Sequence, residues 1–103
     1  MPDNEIHFLE RWFQSQLNGA WEHDTGIRIE TLDNPGWRLR VNLVGTPLEG
    51  VTREWVRDEE SEDVWLFWMS DGLGFDAACG PGDLHRAITA FNGFSAEAKQ
   101  PGN

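Results

Sequence analysis

The stretch from Ile27 to Leu43 constrains this chain more than any other. Trp37, Leu39, Val41 and Leu43 alternate with Arg38, Arg40 and Asn42. Upstream, Ile27, Ile29 and Thr31 alternate with Arg28, Glu30 and Leu32. A two-residue period sends successive side chains to opposite faces, so both segments read as half-buried strands. Asp33-Asn34-Pro35-Gly36 lies between them. Proline presets φ at the second turn position, and glycine accepts the positive φ expected next. The pair is thus expected to be a hairpin with one apolar and one charged face. An isolated hairpin is marginal in water, so the apolar face needs a cover. The charged face (Arg28, Glu30, Arg38, Arg40) is expected to be partly wet, with cross-strand ion pairs; it reads first as a solvated outer face, with a binding platform as the alternative.

Two amphipathic segments supply the cover. Over residues 4–18, Ile6, Leu9, Trp12, Phe13 and Leu17 share one helical stripe, with Phe8 at its margin. Asp3 or Asn4 is the expected cap, and Asn18-Gly19 the stop. Over 83–94, Leu84, Ala87, Ile88, Phe91 and Phe94 form a second stripe behind Asp83 as cap. Between the helices, Trp21–His23 reads as a short strand before an Asp24-Thr25-Gly26 turn. Residues 44–50 read as loop, 51–57 as a strand of unclear facing and 58–63 as an acidic connection. Val64–Met69 is continuously apolar and is expected to be an interior strand covered on both faces. Residues 70–82 hold four Gly and one Pro and read as a long loop. Helix, run of strands, helix predicts an α+β fold. The expectation is an antiparallel meander of four to five strands, with an N-terminal and a C-terminal helix packed on one face. One domain is expected over 4–95, with a polar tail over 96–103.

Six Trp and six Phe among 103 residues require a packed interior. The formal net charge is −10, which disfavours nucleic-acid phosphates and anionic membranes and suits a basic protein partner or a soluble surface. No apolar run approaches the length of a membrane span. Met1–Glu5 has neither a basic region nor an apolar run, so no secretion signal is expected. The single Cys79 cannot form an internal disulfide, which suggests a cytoplasmic location.

Catalytic patterns are weak. Cys79 lies near the start of the second helix, where a thiol pKa can fall, but beside two Ala it reads as a small buried hydrophobe. His7, His23 and His85 sit on separate elements without ligand spacing, so neither a metal site nor a cofactor is expected. The aspartates of Asp71–Asp76 lack the closing Glu of a calcium loop. Gly72-Leu73-Gly74 and Gly80-Pro81-Gly82 match no phosphate loop. Glu22, His23 and Asp24 beside Trp21 could perform acid–base chemistry; the plainer alternative is a core Trp, a backbone-bonded His and solvated acids. The most charged stretch is 49–63. It holds Glu49, Glu54, Asp58, Glu59, Glu60, Glu62 and Asp63 against Arg53 and Arg57, half of the net charge. Trp55 stands among these charges and reads as an exposed anchor. An apolar centre with an acidic rim suits a basic protein partner.

Trp21-Glu22-His23, Gly26-Ile27 and Thr31-Leu32-Asp33-Asn34-Pro35-Gly36-Trp37 occur in order. The Leu9…Trp12-Phe13 and Leu84…Phe91 helices flank them. Over about residues 6–94 the chain resembles the immunity protein 53 family of bacterial polymorphic-toxin systems. The resemblance implies a cytosolic α+β protein that binds and neutralises a cognate toxin, with no catalysis and no cofactor. Two sites are candidates for the toxin contact. One is the acidic segment with Glu54, Trp55, Asp58, Glu59, Glu60, Glu62 and Asp63. The other is the family motif itself, with Trp21, Glu22, His23, Asp33, Asn34 and Trp37. The alternative function is a small-molecule binder or small enzyme using Glu22, His23 and Asp33 in a Trp-lined cleft. The oligomeric state is left open.

Overall fold

A computed structural model describes residues 4–23 and 26–99. Helix α1 spans Glu5–Gln16 and opens where Asn4 Oδ1 accepts the His7 N–H at 2.9 Å. Trp21–His23 is a 3₁₀ turn, not the expected short strand. Local side chains dictate this. The Asn18 side-chain oxygen accepts the Ala20 and Trp21 N–H groups, both at 2.9 Å. The Glu22 carboxylate accepts those of Asn18 and Gly19. Asp3, Asp24 and Thr25 lie outside the described residues.

Strands β1 (Ile27–Leu32), β2 (Gly36–Asn42), β3 (Thr52–Glu59), β4 (Trp65–Asp71) and β5 (Gly74–Cys79) precede helix α2 (Leu84–Lys99). All neighbours are antiparallel, in the order β1-β2-β5-β4-β3. The α+β fold with terminal helices stands as expected. Its sheet combines the β1–β2 hairpin with a β3-β4-β5 meander. The connection after β2 carries the chain to the far edge, and its Leu48 is fully buried.

β5 occupies the centre of the sheet, where the sequence suggested loop. Phe75, Ala77 and Cys79 point to the helices and are buried; Asp76 and Ala78 point away. The alternation is complete, but flanking glycines and two alanines disguise it. Gly72 closes the tight β4–β5 turn with φ +90. α2 also extends to Lys99, so residues 96–99, expected in the tail, are helical.

α2 lies on β2, β4 and β5, while α1 packs chiefly on α2. Aromatic rings make that joint. Phe91 meets Phe75 at 5.0 Å and Trp12 at 4.9 Å, both edge-on, and Phe8 at 5.9 Å. Of the α1 stripe, Leu9 and Trp12 are buried, whereas Ile6 and Leu17 are exposed.

β4 is covered on one face only. Leu66 and Ser70 are buried under the helix layer, with Trp68 partly buried beside them. Trp65, Phe67 and Met69 project from the other face, half-buried with no layer above them. They shield one another: Trp65 meets Phe67 at 5.4 Å, and the Arg57 guanidinium lies 5.3 Å over the Phe67 ring.

β3 carries a bulge. Arg53 pairs with Ser70 and Val56 with Trp68, one residue more on β3 than on β4. The inserted residue switches the parity of the strand. Val56 therefore joins Arg53 on the helix side, and Trp55 and Arg57 take the open side. This resolves the facing that simple alternation left unclear. β3 also runs through Asp58 and Glu59, expected in the connection.

Gly36 does not adopt the positive φ expected of it; the Asn34–Pro35 peptide is cis. Glycine is needed there for a close approach, because a Cβ would lie 2.3 Å from the Cys79 carbonyl oxygen. Gly36→Ala is expected to destabilise the fold by about 2 kcal/mol or more. Phe91→Ala should cost about 3–5 kcal/mol through the cavity it leaves. Urea unfolding with matched m-values checks both.

Candidate interaction surface

Among the described residues the sheet has one face without helices, and its registers set out three rows of side chains. Arg28, Arg40, Asp76 and Met69 form the first. Glu30, Arg38, Ala78, Phe67 and Arg57 form the second. Leu32 and Gly36 on the hairpin, with Trp65 and Glu59 on the meander, mark the third. The expected ion pair within the hairpin is replaced by one to β5. Arg38 donates from Nε and Nη2 to the two Asp76 oxygens, at 3.1 and 2.7 Å. This fork raises the Arg38 pKa through the Asp76 hydrogen bonds, with Glu30 adding to it.

A cleft opens at each end of this face. The first holds about 490 Å³ between Arg28 and Arg40 on one side and Trp55 and Met69 on the other, with Asp71 and Asp76 in its lining. Trp55 is 53% exposed, the largest such aromatic on the protein's described surface. The second holds about 220 Å³ and is lined by Asn34, Glu59, Ser61, Glu62, Trp65 and Phe67.

The acidic segment does not act as one surface. Trp55 and Glu59 belong to the open face. Asp58 turns to the helix side, where Arg86 Nη2 reaches it at 2.6 Å, and Glu60 lies 3.7 Å from the same guanidinium. Glu54 is an exposed bulge residue, and Glu62 and Asp63 stand in the exposed loop after β3. Arg53, beside Trp68 at 5.4 Å, pairs with Glu97.

The family motif is divided as well. Trp21 is a core residue whose Nε1–H bonds the Asn42 carbonyl at 2.8 Å. Glu22 closes its own loop; its own backbone N–H, with those of Asn18 and Gly19, holds its pKa below the usual carboxylate value. His23 is exposed. Asp33 and Asn34 sit at the opposite end of β1, six residues or about 20 Å away. Trp37 lies half-buried on the helix side, and its Nε1–H bonds the Pro81 carbonyl at 3.0 Å. The motif thus supplies two structural ends, and Asn34 alone of its members lines an open-face cleft. Asn34 meets Glu59 and Glu62 there, so the two candidate sites share one end of the molecule.

Sequence reasoning missed Met69, Asp71 and Asp76 as members of the face. The alternation of Phe75, Ala77 and Cys79 was the signal that would have placed Asp76 there. Cys79 is fully buried, and burial, with Asp83 nearby, pushes its thiol up to about 11. Asp83 accepts the Trp65 N–H at 3.0 Å, joining β4 to the start of α2. Among the described residues, no three His, Cys, Asp or Glu side chains are placed to hold a metal ion. Among the same residues, no helix is long and apolar enough to cross a membrane.

The family model for immunity protein 53 matches residues 6–96. The chain belongs to that family. The match covers both helices up to the last turn of α2 and the whole sheet. No curated protein and no solved structure matches the chain.

Asp71 closes the β4–β5 turn of this immunity-family fold. Its Oδ1 accepts the Leu73 and Gly74 N–H groups, both at 2.9 Å, which lowers its pKa. A lowered folded-state pKa means stability present above the unfolded value and lost as pH falls through the folded one. Asp71→Asn is therefore expected to be less stable than the parent at pH 6. The gap should close as pH falls below about 4. Urea midpoints of both proteins across pH 3–6 measure it.

Proposed function

We propose that this protein neutralises a cognate polymorphic toxin by binding it stoichiometrically in the cytosol, without catalysis or cofactor. The family match over residues 6–96 carries the reading. The geometry supports a location for the contact. The uncovered sheet face offers an exposed indole at Trp55, and Glu59 and Glu62 line the cleft at the other end of that face, with Asp63 next in the exposed loop. A chain of net charge −10 draws a basic partner and raises its encounter rate. Asp58 serves the fold through Arg86 and contributes to the interface only by its field. The rival reading, a small-molecule site or enzyme built on Glu22, His23 and Asp33, gains no support from positions at opposite ends of β1.

The test is growth rescue. The family reading implies a toxin encoded beside this gene, and the C-terminal domain of that neighbouring product is expressed with and without this chain. Rescue with a co-purifying one-to-one complex is the expected result. Toxicity without rescue would remove the proposal. Within the complex, Glu59→Lys together with Glu62→Lys should slow association about tenfold at low salt and flatten its salt dependence, with unfolding unchanged. An unaltered association rate would take this end of the face out of the interface.

A further inference from the structure

Arg28 and Arg40 are direct cross-strand partners on the open face. Like charges opposite each other weaken a strand pair, so the fold gains nothing from the arrangement. Nearby carboxylates do not relieve it. Asp76, the neighbour of Arg40 on β5, gives both oxygens to Arg38. Asp71 spends its Oδ1 on the β4–β5 turn. Among the described residues, no ion pair reaches Arg28 or Arg40. The cleft's formal charge balances, yet its acids are engaged and its two guanidinium forks are not. Across about 490 Å³ of open space stands the exposed Trp55. An unengaged cationic pair facing an indole is the reverse of what the chain's acidity suggests.

We infer that the Arg28–Arg40–Trp55 cleft receives a carboxylate side chain of the bound toxin, together with an apolar neighbour that packs on the Trp55 ring. The inference rests on the toxin-binding reading and names the register-setting contact within it. Guanidinium forks pair with a carboxylate bidentately, which fixes position as well as charge. Trp and Arg are the side chains on which interface energies concentrate. The acidic end of the face speeds encounter. The arginine pair then admits a partner that presents an acid at this point and repels one that presents a base.

Binding kinetics of the full chain with the neighbouring gene's toxin domain decide this. The variant is Arg28→Glu with Arg40→Glu. A docked carboxylate would then face two acids, so the complex should dissociate about thirtyfold faster or more. An Asp→Arg or Glu→Arg change on the toxin should restore the slow rate. A solvated arginine pair gives the opposite sign. Making the chain more acidic would leave dissociation alone and leave association with a basic toxin equal or faster. That outcome overturns the inference while toxin binding stands. A wild-type chain that forms no complex overturns both. Arg40→Gln controls for folding: with the like-charge contact gone, its urea midpoint should equal or exceed the parent's.

Discussion

Between Trp37↔Cys79 and Asn42↔Gly74, the ladder of β2 with β5 joins two pieces that the chain makes separately. One is a local hairpin and the other a local meander. Neither could cover its apolar face alone, and α2 reaches both only because the ladder sets them side by side. The seam is held on both surfaces. On the helix side, Leu39, Val41, Phe75 and Ala77 are buried beneath α2. On the open side, the Arg38 fork clamps Asp76. At one end, Gly36 lets the Cys79 backbone approach closer than any side chain would permit.

This arrangement makes the two faces unlike. Both helices pack on one side, so the other must persist with no layer above it. It does so by local means: a ring pair at Trp65 and Phe67, a cation over Phe67, and a forked ion pair. Each leaves an edge accessible. The β3 bulge then adds Trp55, which strict alternation would have set on the helix side with Arg53. The bulge thereby sets an exposed indole on the open face, beside Met69 and across from Arg28 and Arg40.

What was legible follows from how local the signals are. The hairpin, the two helices and their stripes are patterns within a dozen residues, and they read directly. Trp37 was placed on the correct face by alternation alone. β5 was not read, although Phe75, Ala77 and Cys79 alternate, because a central strand beneath a helix favours small side chains that carry little strand propensity. Double coverage of Val64–Met69 was read from apolarity, yet partial mutual shielding by aromatic rings gives the same composition. The acidic segment was legible as charge but not as a surface. The parity switch at β3 and the reach of Arg86 from α2 divide it between faces, and neither is written in local spacing. The strings that identify the family were legible as identity but not as separate places in the fold: Trp21 and Glu22 build a turn, while Asn34 stands at the far end of β1.

Charge alone treats the whole surface as one sign, and the open face argues otherwise. Four of the eight basic residues, Arg28, Arg38, Arg40 and Arg57, project from it. Two are used, Arg38 by Asp76 and Arg57 by Phe67. The remaining pair sits at the end away from Glu59 and Glu62, so the two free guanidinium forks and these two acids stand at opposite ends of the face. Net charge acts at the range of a Debye length, about 8–10 Å, and governs how often partners meet. Forks and rings act at contact and govern which orientation persists. An acidic protein with an arginine pair at the far end of its open face separates these tasks. In the proposed complex, the field recruits a basic partner in many orientations, and the cleft retains the one that places an acid between Arg28 and Arg40.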